Sequence, residues 1–220
     1  MPDFYEKKVY KNTGNREVLS EVGEKQRILD IGCGAGDNAR VLKQAGKYVV
    51  GLTISRTEAE LCKDICDRVI VGDIEAKDEV INESFDCIIM SHICEHLVDP
   101  HTAVKKVIRN LEIGGRLIIA VPNMAYYKSR LRIMKGNWSM EETGHFDKTH
   151  LHFYSYDTSD QIAGDIKNLN LAKKIAGDVS IPLWPLRKVF PSISHKLDRL
   201  IGPMKPNLFS LQTVLVYEKF

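Results

Sequence analysis

The sequence predicts an α/β fold built on a mostly parallel sheet with helices on both faces. Short apolar runs rich in β-branched residues alternate along the chain with segments of helical spacing, which is typical of parallel strands joined by crossover helices. The first run, 28–31, is followed at once by glycines at positions 32, 34 and 36. A glycine turn between a buried strand and a helix start favours ligand binding, because glycine adopts positive φ and lets a ligand approach the backbone.

The composition is that of one globular domain over residues 1–220. The chain has 44% hydrophobic and 27% charged residues with a net charge of +2, which gives no argument for a nucleic acid partner. Five cysteines without a C-x-x-C pair and the lack of a signal-like apolar stretch predict a reducing, cytoplasmic location. No run of 18 apolar residues occurs, so we expect no membrane-spanning helix. The sequence does not indicate an oligomeric state.

The N-terminal segment 1–26 is polar with a few apolar positions, and we expect it to form an arm or helix laid across the domain. After the glycine turn, Ala39, Leu42 and Ala45 recur at helical spacing and predict a helix over 35–45.

The spacing of the glycine turn limits the ligand. A dinucleotide fingerprint is G-x-G-x-x-G, but here the third glycine comes one residue early and Asp37 stands where a carboxylate would repel a pyrophosphate. A phosphate loop would need a lysine that this turn lacks. Asp30, at the end of the strand, favours a ligand with a positive group, such as an amino acid moiety or a sulfonium.

The string Asp-Ile-Gly-Cys-Gly-Ala-Gly, residues 30–36, resembles the first motif of the class I S-adenosylmethionine-dependent methyltransferases. The resemblance covers about residues 25–176 and the last strand, and it implies a Rossmann-like sheet of seven strands whose antiparallel last strand lies between the fifth and sixth. It implies S-adenosylmethionine as cofactor and S-adenosylhomocysteine as product. It also implies that Asp30 lies near the methionine amino group, with the backbone of Gly32, Cys33 and Gly34 against the cofactor. An N-terminal aromatic, Tyr5 or Tyr10, is a further candidate for cofactor contact, with surface packing as the alternative.

The second strand, 48–52, departs from the family at its end. The family usually has an acid there that holds both ribose hydroxyls, whereas this chain has Thr53 followed by Ile54. This strand end resembles the Gly-Leu-Thr of the cyclopropane fatty-acid synthase branch. A hydroxyl binds ribose more weakly than a carboxylate, so we expect Thr53 to contact the ribose at some cost in affinity. Ile54 is also expected at the cofactor.

The next two strands are expected at 68–71 and 85–90, with a helix between the second and third. The capping box of residues 55–58 opens that helix, on which Cys62 and Cys66 share a core-facing side. The resemblance implies that Asp73 accepts from the adenine amino group and that the N–H of Ile74 meets a ring nitrogen; a turn aspartate is the alternative. Ser91, which follows the fourth strand, is also expected at the cofactor.

His92-x-x-Glu95-His96 follows the fourth strand. Three metal-ligand types lie within one turn, and the quinone-biosynthesis O-methyltransferases have the similar Glu-x-x-Glu-His at this place. Glu-His is also common in small-molecule methyltransferases without a metal, so we expect no metal. His92 or His96 is a candidate general base, since imidazole titrates near neutral pH; a structural role is the alternative. The Asn/Asp-Pro-Pro-aromatic motif of amide N-methyltransferases is absent here.

Asp99-Pro100 predicts the start of a helix, and Gly114-Gly115 predicts its end. The fifth strand is predicted at 116–121. Residues 123–154 exceed a usual loop and are predicted to form a substrate lid with a helix over 127–134. One side of that helix is basic and comprises Lys128, Arg132 and Lys135. These residues either form a solvated face or attract an anionic substrate. His145, together with His150 and His152, is a candidate to deprotonate an acceptor hydroxyl.

The rest of the chain predicts a helix at 157–168, strands at 171–176 and 211–219, and a second substrate cap at 178–210, which carries five prolines. The predicted function is methyl transfer to a small molecule. The histidines favour an oxygen acceptor, and the basic residues favour a sugar, glycan precursor or other anionic metabolite. Segment 145–154 also resembles methyltransferases found beside glycan and capsule biosynthesis. The alternatives are a non-catalytic cofactor-binding module, favoured by Thr53, and a nicotinamide-dependent oxidoreductase.

Overall fold

The structure is a computed structural model that describes Val9 and residues 13–77, 80–183 and 188–220. Seven strands form one sheet in the order β3-β2-β1-β4-β5-β7-β6: β1 Arg27–Ile31, β2 Tyr48–Thr53, β3 Arg68–Val71, β4 Phe85–Ser91, β5 Leu111–Pro122, β6 Leu169–Gly177 and β7 Gln212–Lys219. Strands β1 to β5 pair in parallel, and β7 runs antiparallel to both β5 and β6. The predicted mostly parallel sheet with an antiparallel last strand is confirmed.

The helices lie between the strands and on both faces of the sheet. They are α1 Arg16–Val22, α2 Asp37–Gln44, α3 Arg56–Cys62, α4 Pro100–Val107, α5 Tyr127–Met134, α6 Pro191–Ile201 and α7 Pro206–Phe209, with 3-10 turns at Cys94–His96, Ile108–Asn110, Ser159–Ile162 and Gly202–Met204. Two predicted caps are confirmed: Ser55 Oγ accepts from Glu58 N at 3.2 Å, and Asp99 Oδ1 accepts from Thr102 N at 3.0 Å. No helix in the described ranges is long and apolar enough to cross a bilayer.

Alternate side chains of the central strands enter two separate apolar clusters. In β1, Leu29 belongs to the cluster that α4 covers, whereas Ile28 belongs to the cluster that α1 and α2 cover. In β4, Ile88 and Ile89 divide in the same way. A parallel sheet buried on both faces requires nearly continuous apolar strands, which explains why their sequences lack polar alternation. The loops at the carboxyl ends of the strands are left for polar side chains.

Three predicted boundaries were wrong. Strand β5 begins at Leu111 and not at residue 116, and Gly114-Gly115 lies in an irregular stretch within it. Helix α4 therefore ends at Val107, well before these glycines. Gly114 has φ +75°, a conformation that permits such a bulge. Helix α3 ends at Cys62, so Cys66 lies in the turn beyond it, although its N–H still donates to the Cys62 carbonyl at 2.9 Å.

The helix predicted over 157–168 was also wrong, since the chain there forms only a short 3-10 turn. Ser155 and Thr158 cap the start of this turn: Ser155 N donates to Thr158 Oγ1 at 3.0 Å, and Thr158 N donates to Ser155 Oγ at 3.3 Å. Such a capping pair is typical of a helix start, so the chain departs from the helix after it, where glycine, a poor helix former, stands at position 164. A Cβ on Gly164 would also lie 2.9 Å from the Asp160 carbonyl oxygen.

Candidate functional site

The glycine turn after β1 packs directly on the turn after β4. Gly32 has φ +70°, and a Cβ there would lie 1.9 Å from Cδ1 of Ile93, so both its backbone and its surroundings require glycine. The amides of Gly32 and Cys33 donate to the Leu52 carbonyl at 2.7 and 3.1 Å. The N–H groups of these two residues are therefore bonded within the protein and do not face a ligand. The Cys33 side chain lies in the core, with its Sγ 3.7 Å from Sγ of Cys62.

Asp30 is 1% exposed, and its Oδ2 has no hydrogen-bond partner among the described residues. Burial raises the pKa of its carboxyl to about 7, although a hydrogen bond with the Asn38 side chain opposes this shift. A buried carboxylate with an unused oxygen is costly unless a ligand pairs with it. A ligand amino group is a partner that this oxygen could take, and the role that the resemblance implied for Asp30 stays a prediction. Tyr5 and Tyr10 lie outside the described residues.

A polar chain links Asp30 to the β4 turn. Asn38 Oδ1 accepts from Asn15 N at 2.9 Å. The Asn15 amide donates in turn to Ser91 Oγ at 3.2 Å and to Gln212 Oε1 at 2.8 Å. Ser91, a predicted cofactor residue, is therefore part of this network. Sequence reasoning missed Asn15, Asn38 and Gln212, because nothing local marks polar residues that only the tertiary fold brings together.

At the end of β2, Thr53 is bonded within the protein. Its hydroxyl donates to Glu58 Oε2 at 2.7 Å and accepts from Ser55 N at 3.1 Å. The helix that follows β2 thus delivers a buried carboxylate to the place where the family usually has an acid. Sequence reasoning named Glu58 only as part of a capping box. Ile54 is half-exposed beside it.

Asp73 closes the turn after β3 on itself, since its Oδ1 accepts from Glu75 N at 2.8 Å. The Glu75 carboxylate accepts from the amides of Val98 and Asp99 at 3.1 and 2.8 Å. These bonds fasten the turn to the start of α4, and Ile74 is buried within it. The turn-aspartate role of Asp73 is present in the structure.

His92 has φ +57° and places its ring between two acceptors. Nδ1 lies 3.3 Å from Glu95 Oε1, and Nε2 lies 3.1 Å from Gln212 Oε1. The orientation of Gln212 is set because its Nε2 donates to Asp178 Oδ2 at 2.7 Å. Burial lowers the pKa of His92, but the Glu95 carboxylate and Gln212 raise it above its usual value. The surroundings favour the protonated ring.

At His96, the structure shows a hydrogen-bond partner at Nδ1. Its Nδ1 lies 2.9 Å from Thr149 Oγ1, and that hydroxyl donates to Asp147 Oδ1 at 2.7 Å. A hydroxyl carries one proton, so Thr149 must accept from the Nδ1–H of His96. The Nε2 of His96 is then the nitrogen with the lone pair.

The lid is fastened to the same turn. The amides of Leu151 and His152 both donate to the Glu95 carbonyl, at 2.8 and 3.1 Å. The Nδ1 of His145 lies 2.8 Å from Ser129 Oγ, and burial lowers the pKa of His145 and of His150. The structure therefore brings lid histidines to the His92–His96 turn.

Glu95, His96 and His150 each offer one ligand atom, and these atoms lie within 4.8 Å of one another. Two imidazoles and a carboxylate form a donor set that suits divalent transition metals. Burial raises the pKa of Glu95, but His92 lowers it below its usual value. The expectation that no metal binds stays a prediction.

The basic stripe of α5 is partly used within the lid. Arg132 pairs with Glu141, and its guanidinium carbon lies 4.2 Å above the ring centre of Phe146. Lys128 and Lys135 are exposed. An anionic substrate would therefore meet less free positive charge than the sequence suggested.

A family model described as "Methyltransferase domain" matches residues 6–172. The chain is also 28% identical over 120 residues to the ubiquinone biosynthesis O-methyltransferase of Maricaulis maris, a match that covers 52% of this chain and 47% of that protein. The chain spans about half the length of the curated relatives it matches.

Solved structures share the fold at low identity. A SAM-dependent methyltransferase from Archaeoglobus fulgidus is similar with a TM-score of 0.64 and 18% identity, over 99% of both chains. The magnesium protoporphyrin IX methyltransferase of Synechocystis PCC 6803, solved with bound SAH, has a TM-score of 0.60 and 14% identity, over 93% of this chain and 81% of that one.

Proposed function

The chain belongs to the methyltransferase-domain family, and from that premise we propose that it transfers a methyl group from S-adenosylmethionine to an oxygen of a small molecule. The buried Asp30 carboxylate beside the glycine turn, with an oxygen left without a partner among the described residues, carries the proposal. When bound, the cofactor supplies a methyl carbon that its sulfonium already makes electrophilic. The protein then has to align the acceptor, exclude water and remove a proton.

Three turns at one edge of the sheet would hold the cofactor. Asp30 accepts from the methionine amino group, and Asp73 with the Ile74 amide takes the adenine. The Thr53 hydroxyl already donates to the Glu58 carboxylate and accepts from Ser55 N. We therefore assign the ribose hydroxyls to the carboxylate of Glu58 and not to Thr53. In this proposal the carboxylate of Glu58 takes the place of the missing acid, which weakens the argument that Thr53 gave for a non-catalytic module.

His96 is our candidate for the general base. Its Nε2 has the lone pair, and Thr149 and Asp147 hold the ring in that tautomer. His92 is a weaker candidate since its surroundings favour the protonated form. His145 stays a candidate, because burial favours its neutral ring.

The proposed acceptor is a hydroxyl of an anionic metabolite such as a sugar or glycan precursor, with Lys128 and Lys135 as the exposed positive charges. A phenolic hydroxyl is the second candidate, favoured by the match to a ubiquinone biosynthesis O-methyltransferase. The relative's name describes that protein, and this chain's acceptor has to be identified by assay.

Isothermal titration calorimetry with S-adenosylmethionine, S-adenosylhomocysteine and NADH tests the proposal. We expect heat with the first two ligands and none with NADH; no heat with either sulfur compound would contradict the proposal. Incubation of the protein with labelled cofactor and cell extract then distinguishes an enzyme from a binding module. Cofactor binding without a labelled product would favour the module.

A further inference from the structure

Helix α6 packs on the protein through its polar side. Ser194 and Asp198 are buried, and Asp198 Oδ1 accepts from Ile181 N at 2.9 Å. Just beyond the helix, Gly202 lies so close to Val179 that a Cβ would be 1.9 Å from its Cγ1. A surface helix normally buries its apolar side and exposes its polar one. Helix α6 does the reverse, so its apolar residues need another explanation.

The outward side of α6 carries large apolar residues. Ile193 and Leu200, seven residues apart in the helix, are 50% and 71% exposed. Val189 and Phe190, which directly precede the helix, and Met204, which follows it, are also exposed. Contiguous exposed apolar surface usually marks an interaction site. We call the apolar and basic residues exposed within 188–205 the α6 surface.

The charges of the α6 surface all have one sign. Lys188, Lys196, Arg199 and Lys205 are exposed, and none of them forms an ion pair with a carboxylate in the part of the chain that the structure describes. Asp198, the sole acid in 188–205, is buried. The surface therefore presents four basic groups and no exposed carboxylate around its apolar stripe.

We propose that the α6 surface docks on an anionic lipid bilayer. A helix that combines an apolar stripe with flanking Lys and Arg is suited to the membrane interface, where the apolar residues enter the headgroup region and the cations meet acidic lipids. A second copy of this chain fits less well, because self-association would place basic residues against basic residues. The length of α6, 11 residues, is enough for three turns on the surface.

The segment that carries α6 is attached to the sheet beside the candidate site. Segment 178–210 follows β6 and is anchored where Ser180 N donates to the Phe209 carbonyl at 2.8 Å. Asn123, which directly follows β5, donates to the Ser210 carbonyl at 2.8 Å. The segment that carries the α6 surface thus ends at the same edge of the sheet as the turns described above.

Sedimentation of the full chain with vesicles tests the proposal. We expect binding to vesicles of phosphatidylcholine with phosphatidylglycerol, little binding to phosphatidylcholine alone, and loss of binding at high salt. Val189→Ser with Leu200→Ser should abolish binding. Lys196→Gln with Arg199→Gln should weaken it about fivefold for each charge removed.

Two matched controls change similarly exposed residues elsewhere: Ile113→Ser in β5 and Lys167→Gln before β6. Both should bind vesicles like the wild type. Circular dichroism melting should show all variants folded, since every changed side chain is exposed. Failure of the wild type to sediment with phosphatidylglycerol, or equal binding by the α6 variants, would overturn the proposal. A dimer in sedimentation velocity that Val189→Ser with Leu200→Ser dissociates would assign the surface to a second copy instead.

Discussion

At the scale of single residues, Asp30 controls how cofactor binding should depend on pH. Without ligand its pKa is about 7 because the carboxyl is buried. A bound amino group would favour the ionised form, so below that pH the carboxyl must release its proton when the cofactor binds. We expect the Kd of S-adenosylhomocysteine to rise by roughly tenfold for each pH unit below about 7. Calorimetry in buffers of different ionisation enthalpy should detect the released proton; a Kd independent of pH would contradict this role.

The same pKa shift predicts an effect on stability without ligand. The folded-state pKa is raised above the ordinary aspartate value of 3.8, so the stabilising contribution of the protonated carboxyl is complete below 3.8 and is lost as pH rises through about 7. Asp30→Asn cannot ionise, so above this pH its free energy of unfolding should exceed that of the wild type by on the order of 1 to 4 kcal/mol. It should therefore also unfold at a higher temperature. Thermal melts across pH check this expectation. The difference should vanish in acid, and the variant should give no heat with the cofactor.

Glu58 is expected to affect cofactor affinity more than Thr53 does. Glu58→Gln keeps the size and a hydrogen-bonding oxygen but loses the charge, and a charge-assisted bond is about twice as strong as a neutral one. We expect the Kd of S-adenosylhomocysteine to rise about tenfold or more. Thr53→Ser, which keeps the hydroxyl, is the control and should bind like the wild type. An unchanged Kd in Glu58→Gln would return the ribose to Thr53 or to another residue.

At the scale of elements, the lid and the β4 turn act together on His96. His96→Ala should lower kcat at least about 100-fold if this imidazole removes the acceptor proton, without changing the Kd of the cofactor. Thr149→Val should also lower kcat, because it removes the hydroxyl 2.9 Å from Nδ1 and leaves only the Thr149 carbonyl at 3.3 Å to hold the Nδ1–H, whereas Thr149→Ser should restore it. The pH profile of kcat is the deciding measurement. The acidic limb of this profile should disappear in His96→Ala and shift in Thr149→Val. If the acidic limb is unchanged in His92→Ala and in His145→Ala, the assignment to His96 is supported.

The elements that the sequence predicted correctly are those with local physical signals. Ser55 and Asp99 are caps whose partners lie three residues away, and apolar runs such as 85–90 report burial directly. The helix expected at 157–168 is reduced to a 3-10 turn although Ser155 and Thr158 cap its start, and Gly164, a poor helix former, lies within the predicted range. At the site, the first-motif residues were recognisable, whereas the carboxylate of Glu58 was not. Its role depends on where α3 starts relative to the end of β2, which is a tertiary fact.

At the scale of the whole molecule, the strand order explains why distant segments meet at one edge. Strand β7 runs antiparallel, so its first residue, Gln212, pairs with Pro122 and Gly177 at the ends of β5 and β6. The parallel strands β1 and β4 end at this edge too, which brings Asp30 and His92 within one polar network. Gln212 joins three parts of the chain there: the start of α1, the β4 turn and the second cap.

Gln212 should therefore contribute to stability well beyond its size. It is 4% exposed, accepts from Asn15 Nδ2 at 2.8 Å and donates to Asp178 Oδ2 at 2.7 Å. Gln212→Leu would remove these two bonds and the one to His92, and each hydrogen bond contributes about 0.5–1.5 kcal/mol; Asn15 and His92 are half-buried and Asp178 is exposed. We expect the free energy of unfolding in urea to fall by about 2 kcal/mol or more and the pKa of His92, followed by NMR, to fall as well. The exposed Gln161→Leu is the control, and a Gln212→Leu protein as stable as that control would show that the network does not join the three segments energetically.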